Sequence, residues 1–208
     1  VAQSAQRFGF DPNVIGFDSQ SPGGFRSDLY LMNADGSGAK ALTKENKTAV
    51  AMAWSPDGAK IAFCSDREGN FDLYVMNADG SGARNLTRHE AKDVSPSWSP
   101  DGSKIAFVSY RDSAGDVFVM DADGNNPVNL TKDDAEDSLS SGAWSPDGRQ
   151  IVFTSNRFTT EKIHRGSWAF EVCAMDADGG NVRNLTAKEE YDGMAAWSPD
   201  GARIVFVS

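Results

Sequence analysis

Apolar residues along this chain fall into short runs bounded by turn-forming residues. One set reads Ile61-Ala62-Phe63-Cys64, Ile105-Ala106-Phe107-Val108, Ile151-Val152-Phe153-Thr154 and Ile204-Val205-Phe206-Val207. A second set is Leu73-Tyr74-Val75-Met76 and its copies. Runs this short, rich in branched and aromatic residues and flanked by Gly, Pro and Asp, predict β-strands. Polar residues do not alternate within them, so both faces of each sheet are expected to be covered. No stretch carries a convincing helical period.

The pattern repeats. Trp-Ser-Pro-Asp-Gly begins at Trp54, Trp98, Trp144 and Trp197, with steps of 44, 46 and 53 residues. Ala-Asp-Gly follows each third strand, at Asp35, Asp79, Asp123 and Asp178, and Leu-Thr closes each unit at Leu42, Leu86, Leu130 and Leu185. That spacing is the period of a four-stranded propeller blade, and about twice that of a leucine-rich horseshoe. Small residues before each tryptophan suit an innermost strand, and the mixed Arg84-Asn85-Leu86-Thr87 segment reads as a guarded outer edge. The expected fold is all-β: a β-propeller of four-stranded blades, with four complete repeats plus the first two strands of a fifth. The repeats cover about residues 1–48, 49–92, 93–138 and 139–191, with a half repeat at 192–208, in one domain spanning 1–208. Arg7-Phe8-Gly9-Phe10-Asp11-Pro12 stands as a degenerate tryptophan turn in the first unit. The strand ending at Ser208 is left with an unpaired side. Continuation in a longer chain, completion by another subunit and closure through the N-terminal segment all remain open.

Composition narrows the function classes. With 20 Lys and Arg against 30 Asp and Glu, the net charge is −10 and the isoelectric point about 4.6. Such a surface disfavours nucleic acid and anionic lipid. No apolar run reaches the 18 residues or so of a membrane-spanning helix, so no membrane insertion is expected. Cys64 and Cys173 lie in apolar runs and read as buried thiols. The N-terminal Val1-Ala2-Gln3-Ser4 has no signal-peptide pattern, whether none existed or one has been removed.

Ser-Pro-Asp-Gly-x-x-Ile-x-Phe-x-Ser, then Asp-Leu-Tyr-Val-Met-Asn-Ala-Asp-Gly, then Asn-Leu-Thr resembles the repeat of the TolB-like β-propellers, most clearly at residues 54–87. The resemblance covers nearly the whole chain. It implies a propeller fold, a scaffold that binds a protein or peptide partner, and periplasmic or secreted placement. Similar repeats form the gating propellers of prolyl-oligopeptidase-type peptidases and the body of some oligogalacturonate lyases.

Repeat geometry puts the Ser-Pro-Asp-Gly and Ala-Asp-Gly turns on one face, where they barely vary. The opposite face holds the second-to-third-strand loops and the links between blades, which diverge. Specific recognition needs surface that does not repeat. The longest departure, Phe158 to Phe170, gathers Lys162, His164, Arg165, Trp168 and Phe170, a basic and aromatic island in an acidic chain. These five are the candidate partner-binding residues. The alternative is a long loop packing on its own blade. Two acidic links, Asp133, Asp134, Glu136 and Asp137, then Glu189, Glu190 and Asp192, read as a solvated rim.

Other motifs yield to plainer readings. Asp121-x-Asp123-Gly124 and Asp176-x-Asp178-Gly179 begin like calcium loops, but Lys132 or Ala187 stands where the closing glutamate belongs. No metal or other cofactor is expected. The Asn-Leu-Thr sequons at Asn85, Asn129 and Asn184 recur as repeat consensus. Ser65, Arg67 and Asp72, with Ser109, Arg111 and Asp116 and with Ser155, Arg157 and Glu171, are expected to form an ion pair bracing each blade. No nucleophile elbow, zinc motif or phosphate loop is present, and His89 and His164 are the only histidines. The expected function is therefore non-catalytic binding. A carbohydrate-active, lyase-like propeller using the His164 loop is the alternative, and a homo-oligomer built through the incomplete last repeat is a third reading.

Overall fold

The computed structural model describes residues 14–20, 27–44, 47–112, 114–140, 142–158, 170–187 and 191–208, the first of these segments as backbone. Every regular element among the described residues is a strand. The first sheet orders β1 (Val14–Gln20), β2 (Ser27–Asn33) and β3 (Lys40–Ala41). The second holds β4 (Ala49–Trp54), β5 (Lys60–Ser65), β6 (Asp72–Asn77) and β7 (Arg84–Asn85). The third repeats it with β8 (Asp93–Trp98), β9 (Lys104–Ser109), β10 (Asp116–Asp121) and β11 (Val128–Asn129). The fourth contains β12 (Asp137–Ser138), β13 (Gln150–Ser155), β14 (Glu171–Asp176) and β15 (Arg183–Asn184). A hairpin of β16 (Gly193–Trp197) and β17 (Ile204–Val207) follows. All pairings are antiparallel between sequence neighbours, as in the blades of a propeller. The all-β propeller expected from the repeats is the fold observed. The degenerate tryptophan turn of the first unit lies outside the described residues.

The apolar runs do not alternate because each sheet is sandwiched. Ala62, Cys64, Leu73 and Val75 of the second sheet pack against Trp98, Ile105, Phe107 and Phe118 of the third. The other face of the third sheet, with Ala106, Val108 and Val117, meets Trp144, Ile151 and Phe153 of the fourth. One face is thus small and the other large, and successive sheets interlock. At about 25 cal/mol per Å2 of apolar area, these layers supply the main driving force for folding. The two cysteines sit in different layers, Cys64 in the former and Cys173 in the latter, both unbridged.

Three consensus groups turn this stacking into a register. The Trp98 indole donates to the Ala53 carbonyl (3.2 Å) and the Trp144 indole to that of Ser97 (3.1 Å), each bolting a blade to the one before. In the Ser-Pro-Asp-Gly turn, Ser99 Oγ donates to Asp101 Oδ1 (2.6 Å) and accepts from Lys104 N (2.9 Å), while Asp101 accepts from Ser103 N (3.0 Å). The Ala-Asp-Gly glycine does a different job. A Cβ on Gly124 would stand 2.8 Å from the Leu86 carbonyl oxygen, and one on Gly179 equally close to that of Leu130. Both glycines have positive φ, +94° and +91°. The Leu-Thr of one unit and the glycine of the next are therefore two halves of one contact.

The inner strands carry a repeated bulge. Ala51, Ser95 and Met194 have φ near +55°, where β4, β8 and β16 slip register against their partners. The fourth sheet departs from this. β12 stops at Ser138, and its inner edge resumes through Val152 N to the Ala143 carbonyl (2.7 Å) and a Trp144–Ile151 bridge.

Candidate interaction face

The two faces assigned from the repeats are found in the backbone bonds. Ala78 N donates to the Ala59 carbonyl (3.0 Å) and Ala122 N to that of Ser103 (2.9 Å), which joins the two kinds of turn on one face. On the other, Asn70 Nδ2 reaches the carbonyls of His89, Glu90 and Ala91, tying a loop to the link that follows its blade. The loops of this second face span 66–71 and 110–115 in the second and third units but 156–170 in the fourth.

Of the five candidate residues, Phe170 is described. It is half-buried, its ring lies 5.9 Å from that of Tyr191, and its carbonyl accepts from Asp192 N (2.7 Å). The loop's far end thus docks on the next link. Lys162, His164, Arg165 and Trp168 lie outside the described residues. Phe158, at the near end, is 44% exposed.

Beneath this face runs a row of polar knots. Asp72 accepts from Asn85 Nδ2 (2.8 Å) and Thr87 Oγ1 (2.9 Å), and Thr87 Oγ1 accepts from Leu73 N (3.1 Å). Asp116 repeats this with Asn129 and Thr131, and Glu171 accepts from Asn184 (2.5 Å). The sequon asparagines therefore secure the short outer strand to the third strand.

The bracing arginines choose other partners than expected. Arg111 pairs with Asp93 (2.9 Å) and Arg157 with Asp137 (2.8 Å), the first residues of β8 and β12, and not with Asp116 or Glu171. The recurrence in sequence placed the carboxylate on the third strand, whose acids are already held by Asn and Thr. The arginine instead crosses to the inner strand, where Asp93 and Asp137 stand opposite Ser109 and Ser155. Each guanidinium also lies over an aromatic ring, 5.9 Å from Phe107 for Arg111 and 5.0 Å from Phe153 for Arg157. Burial pushes the Asp137 carboxyl above the usual carboxylate range, against the opposing pull of Ser155 and Arg157.

The acidic rim is accordingly narrower than expected. Asp137 and Asp192 are buried at 1% and 0% exposure. Glu136 accepts from the Tyr110 hydroxyl (2.9 Å), and burial followed by this contact raises that phenol to about 12. Asp133 bonds Arg157 (3.1 Å), and Asp134 stays exposed. Glu189 and Glu190 lie outside the described residues. The carboxylates of Asp116, Asp133 and Asp137 approach within 4.8 Å of one another, and Arg157 supplies the positive charge between the last two. Asp121 accepts from Asn126 (2.7 Å) and Lys104 (3.0 Å), and Asp123 from Asn125 N (3.0 Å), which makes them turn caps.

On the turn face, an open cleft of about 570 Å3 lies between the second and third sheets, beside Lys60, Arg84, Trp98 and Asp101. Its polar groups serve the turns, as with Arg84 donating to the Asp123 carbonyl (2.9 Å).

Repeats of this kind on stacked four-stranded sheets match the profile of PD40, the TolB beta propeller domain, over residues 2–95 and 88–208. The chain belongs to this family. Among solved structures, a protein assigned as TolB from Agrobacterium tumefaciens is similar at 26% identity and a TM-score of 0.72, over 95% of this chain and 72% of that one. TolB from Acinetobacter baumannii shows the same fold at 23% identity and a TM-score of 0.77, over 95% of this chain and 47% of that one. Among curated proteins, dipeptidyl-peptidase 5 of Porphyromonas endodontalis is 46% identical over 44 residues, which are 21% of this chain and 6% of the peptidase. This TolB-type propeller therefore spans less than half of the Acinetobacter protein and a small part of the peptidase. Repeats similar to these also occur in a peptidase, so family membership establishes the fold and leaves the activity to the site.

Proposed function

We propose that this propeller is a non-catalytic scaffold that docks a protein or peptide on its loop face. The observation that carries this is the contrast between the faces: near-identical turns on one, and on the other a second-to-third-strand loop, 156–170, more than twice as long as 66–71 or 110–115. Lys162, His164, Arg165, Trp168 and Phe170 are the proposed contacts. Trp and Arg together suit an anchor that buries area and pairs charge. Charged residues along this face are engaged in blade-bracing bonds, which supports a structural rather than a catalytic role for them. A periplasmic or secreted setting, without a cofactor, belongs to the same proposal.

The test selects peptides from a displayed random library against the chain. Each is then measured on a variant with Lys162, His164, Arg165 and Trp168 all replaced by alanine. Affinity is expected to fall at least tenfold with the fold retained. Undiminished binding would reject the loop as the site. Turnover of peptidyl anilides or uronate polymers, with or without divalent metal, would reject the non-catalytic reading.

A further inference from the structure

The repeats supply an internal comparison for each bracing arginine. Arg157 uses its whole guanidinium. Its Nε donates to Ser155 Oγ (2.9 Å), one terminal nitrogen to both Asp137 oxygens (3.0 and 2.8 Å), and the other pairs with Asp133 Oδ2 (3.1 Å). Arg111 has the same serine and inner aspartate, as Ser109 and Asp93, but makes one bond, to Asp93 Oδ2 (2.9 Å). Arg111 Nε, Ser109 Oγ and Asp93 Oδ1 are buried without a partner among the described residues. Buried donors and acceptors left unpaired are costly, so three in one place need a cause.

The cause lies in the link before the blade. Asp133 does two things there: Oδ1 accepts from Ala135 N (3.0 Å), and Oδ2 holds Arg157. Asp133 is the third residue after Leu130, and the third after Leu86 is His89. His89 Nδ1 takes over the first task, accepting from Ala91 N (3.0 Å), which leaves the proton of a neutral ring on Nε2. It cannot take over the second, because imidazole brings no negative charge. The Arg111 guanidinium accordingly lies 5.9 Å from the Phe107 ring, against 5.0 Å for Arg157 over Phe153. A second ring near Arg111, Phe118 at 5.4 Å, does not explain the difference. Arg67 also lies over two rings, Phe63 and Tyr74, and still donates from Nε to Ser65 Oγ (3.2 Å).

We propose that Arg111 is a socket for the carboxylate of a ligand, which takes the place that Asp133 takes at Arg157. The incoming carboxylate accepts from the outer terminal nitrogen of Arg111 and draws the guanidinium into the fork that Arg157 adopts. Nε then reaches Ser109 and the inner nitrogen spans both Asp93 oxygens, so one charge-assisted contact completes three others. The Arg111 side chain keeps 16% exposure, and His89 is exposed. Neighbouring acids do not forbid the ligand. Asp72 and Asp93 correspond to Asp116 and Asp137, beside which Asp133 is accommodated within 4.8 Å. The socket is made by the second link and the third unit, so it does not depend on the role proposed above for the 156–170 loop.

The test follows the Arg111 Nε–Hε resonance by heteronuclear NMR in the 208-residue chain, with chloride at matched ionic strength as the control. N-acetyl-aspartate N-methylamide presents a side-chain carboxylate, and N-acetylalanine a chain-terminal one. A saturable shift with either supports the socket, and the tighter of the two names the source. His89→Asp should fill the socket from within, moving the resonance without a probe and weakening probe binding at least tenfold. The variant with Lys162, His164, Arg165 and Trp168 replaced by alanine should respond like the parent chain, which separates this site from the loop. No saturable shift with either probe, or undiminished binding in His89→Asp, would overturn the proposal. Stability gives a second measure at neutral pH. His89→Asp should raise the melting temperature by several degrees, whereas His89→Asn, which can still accept from Ala91 N but brings no charge, should not. Equal melting temperatures for the two variants would show that Arg111 gains nothing from a carboxylate and would also overturn it.

Discussion

Asp57, Asp101, Asp147 and Asp200 occupy the same turn position, and each is held below the usual carboxylate range. The serine two residues before it donates to its carboxylate, with a backbone N–H as the second cause. Asp101 falls furthest, to about 2, because Ser103 contributes side chain as well as backbone. A carboxyl depressed in the folded state adds stability that is complete above its unfolded value, near 4, and is lost as pH drops through the folded value. These turns should therefore leave stability unchanged between about pH 5 and pH 8 and lower it between about pH 4 and pH 2, read from urea melts along a pH series. Replacing Ser99 by alanine should move the Asp101 titration upward by NMR, and an unmoved titration would assign the depression elsewhere. The sequence displayed these turns completely, because every participant lies within six residues. It did not display the partner of Arg111 or Arg157. Recurrence shows which residues travel together; whether a side chain leans to the third strand or the first depends on which acids are already engaged.

At the scale of the element, a blade is defined as much by its neighbour as by itself. Trp98, Gly124 and Leu86 read as consensus of one unit, yet each acts across a boundary between units. Gly124→Ala would place a methyl 2.8 Å from a backbone oxygen at positive φ, at a cost of about 1–3 kcal/mol. Gly36→Ala has open space around its Cβ and bears the φ cost alone, so denaturant melts should show the smaller loss there. Equal losses would mean that the inter-blade contact adds nothing. Strand existence and turn positions were legible because their residues are local. The end of the regular inner strand at Ser138 was not, since it shows only as a longer step between tryptophans. The rim was misread for a similar reason: a run of acids looks solvated in sequence, whereas Asp137 begins β12, Asp192 directly precedes β16, and both are buried.

At the scale of the molecule, the sheets stack through mixed small-and-large layers, and the thiols report on two of them. Burial raises both Cys64 and Cys173 to about 12. Neither should react with a disulfide reagent at pH 8 in the native state, and both should react in denaturant. Rapid native labelling of one would locate a layer that opens. Two faces follow from this stacking, one repeated and one varied, and the varied face is the one proposed for recognition. The propeller itself could be inferred from repeat period alone, whereas the site rests on where the repeats cease to agree. Hydrogen–deuterium exchange with a library-selected peptide bound tests that placement most directly. Protection is predicted across residues 156–170 and the neighbouring 130–137 link, and protection confined to the turns at 55–59, 99–103 and 145–149 would contradict it.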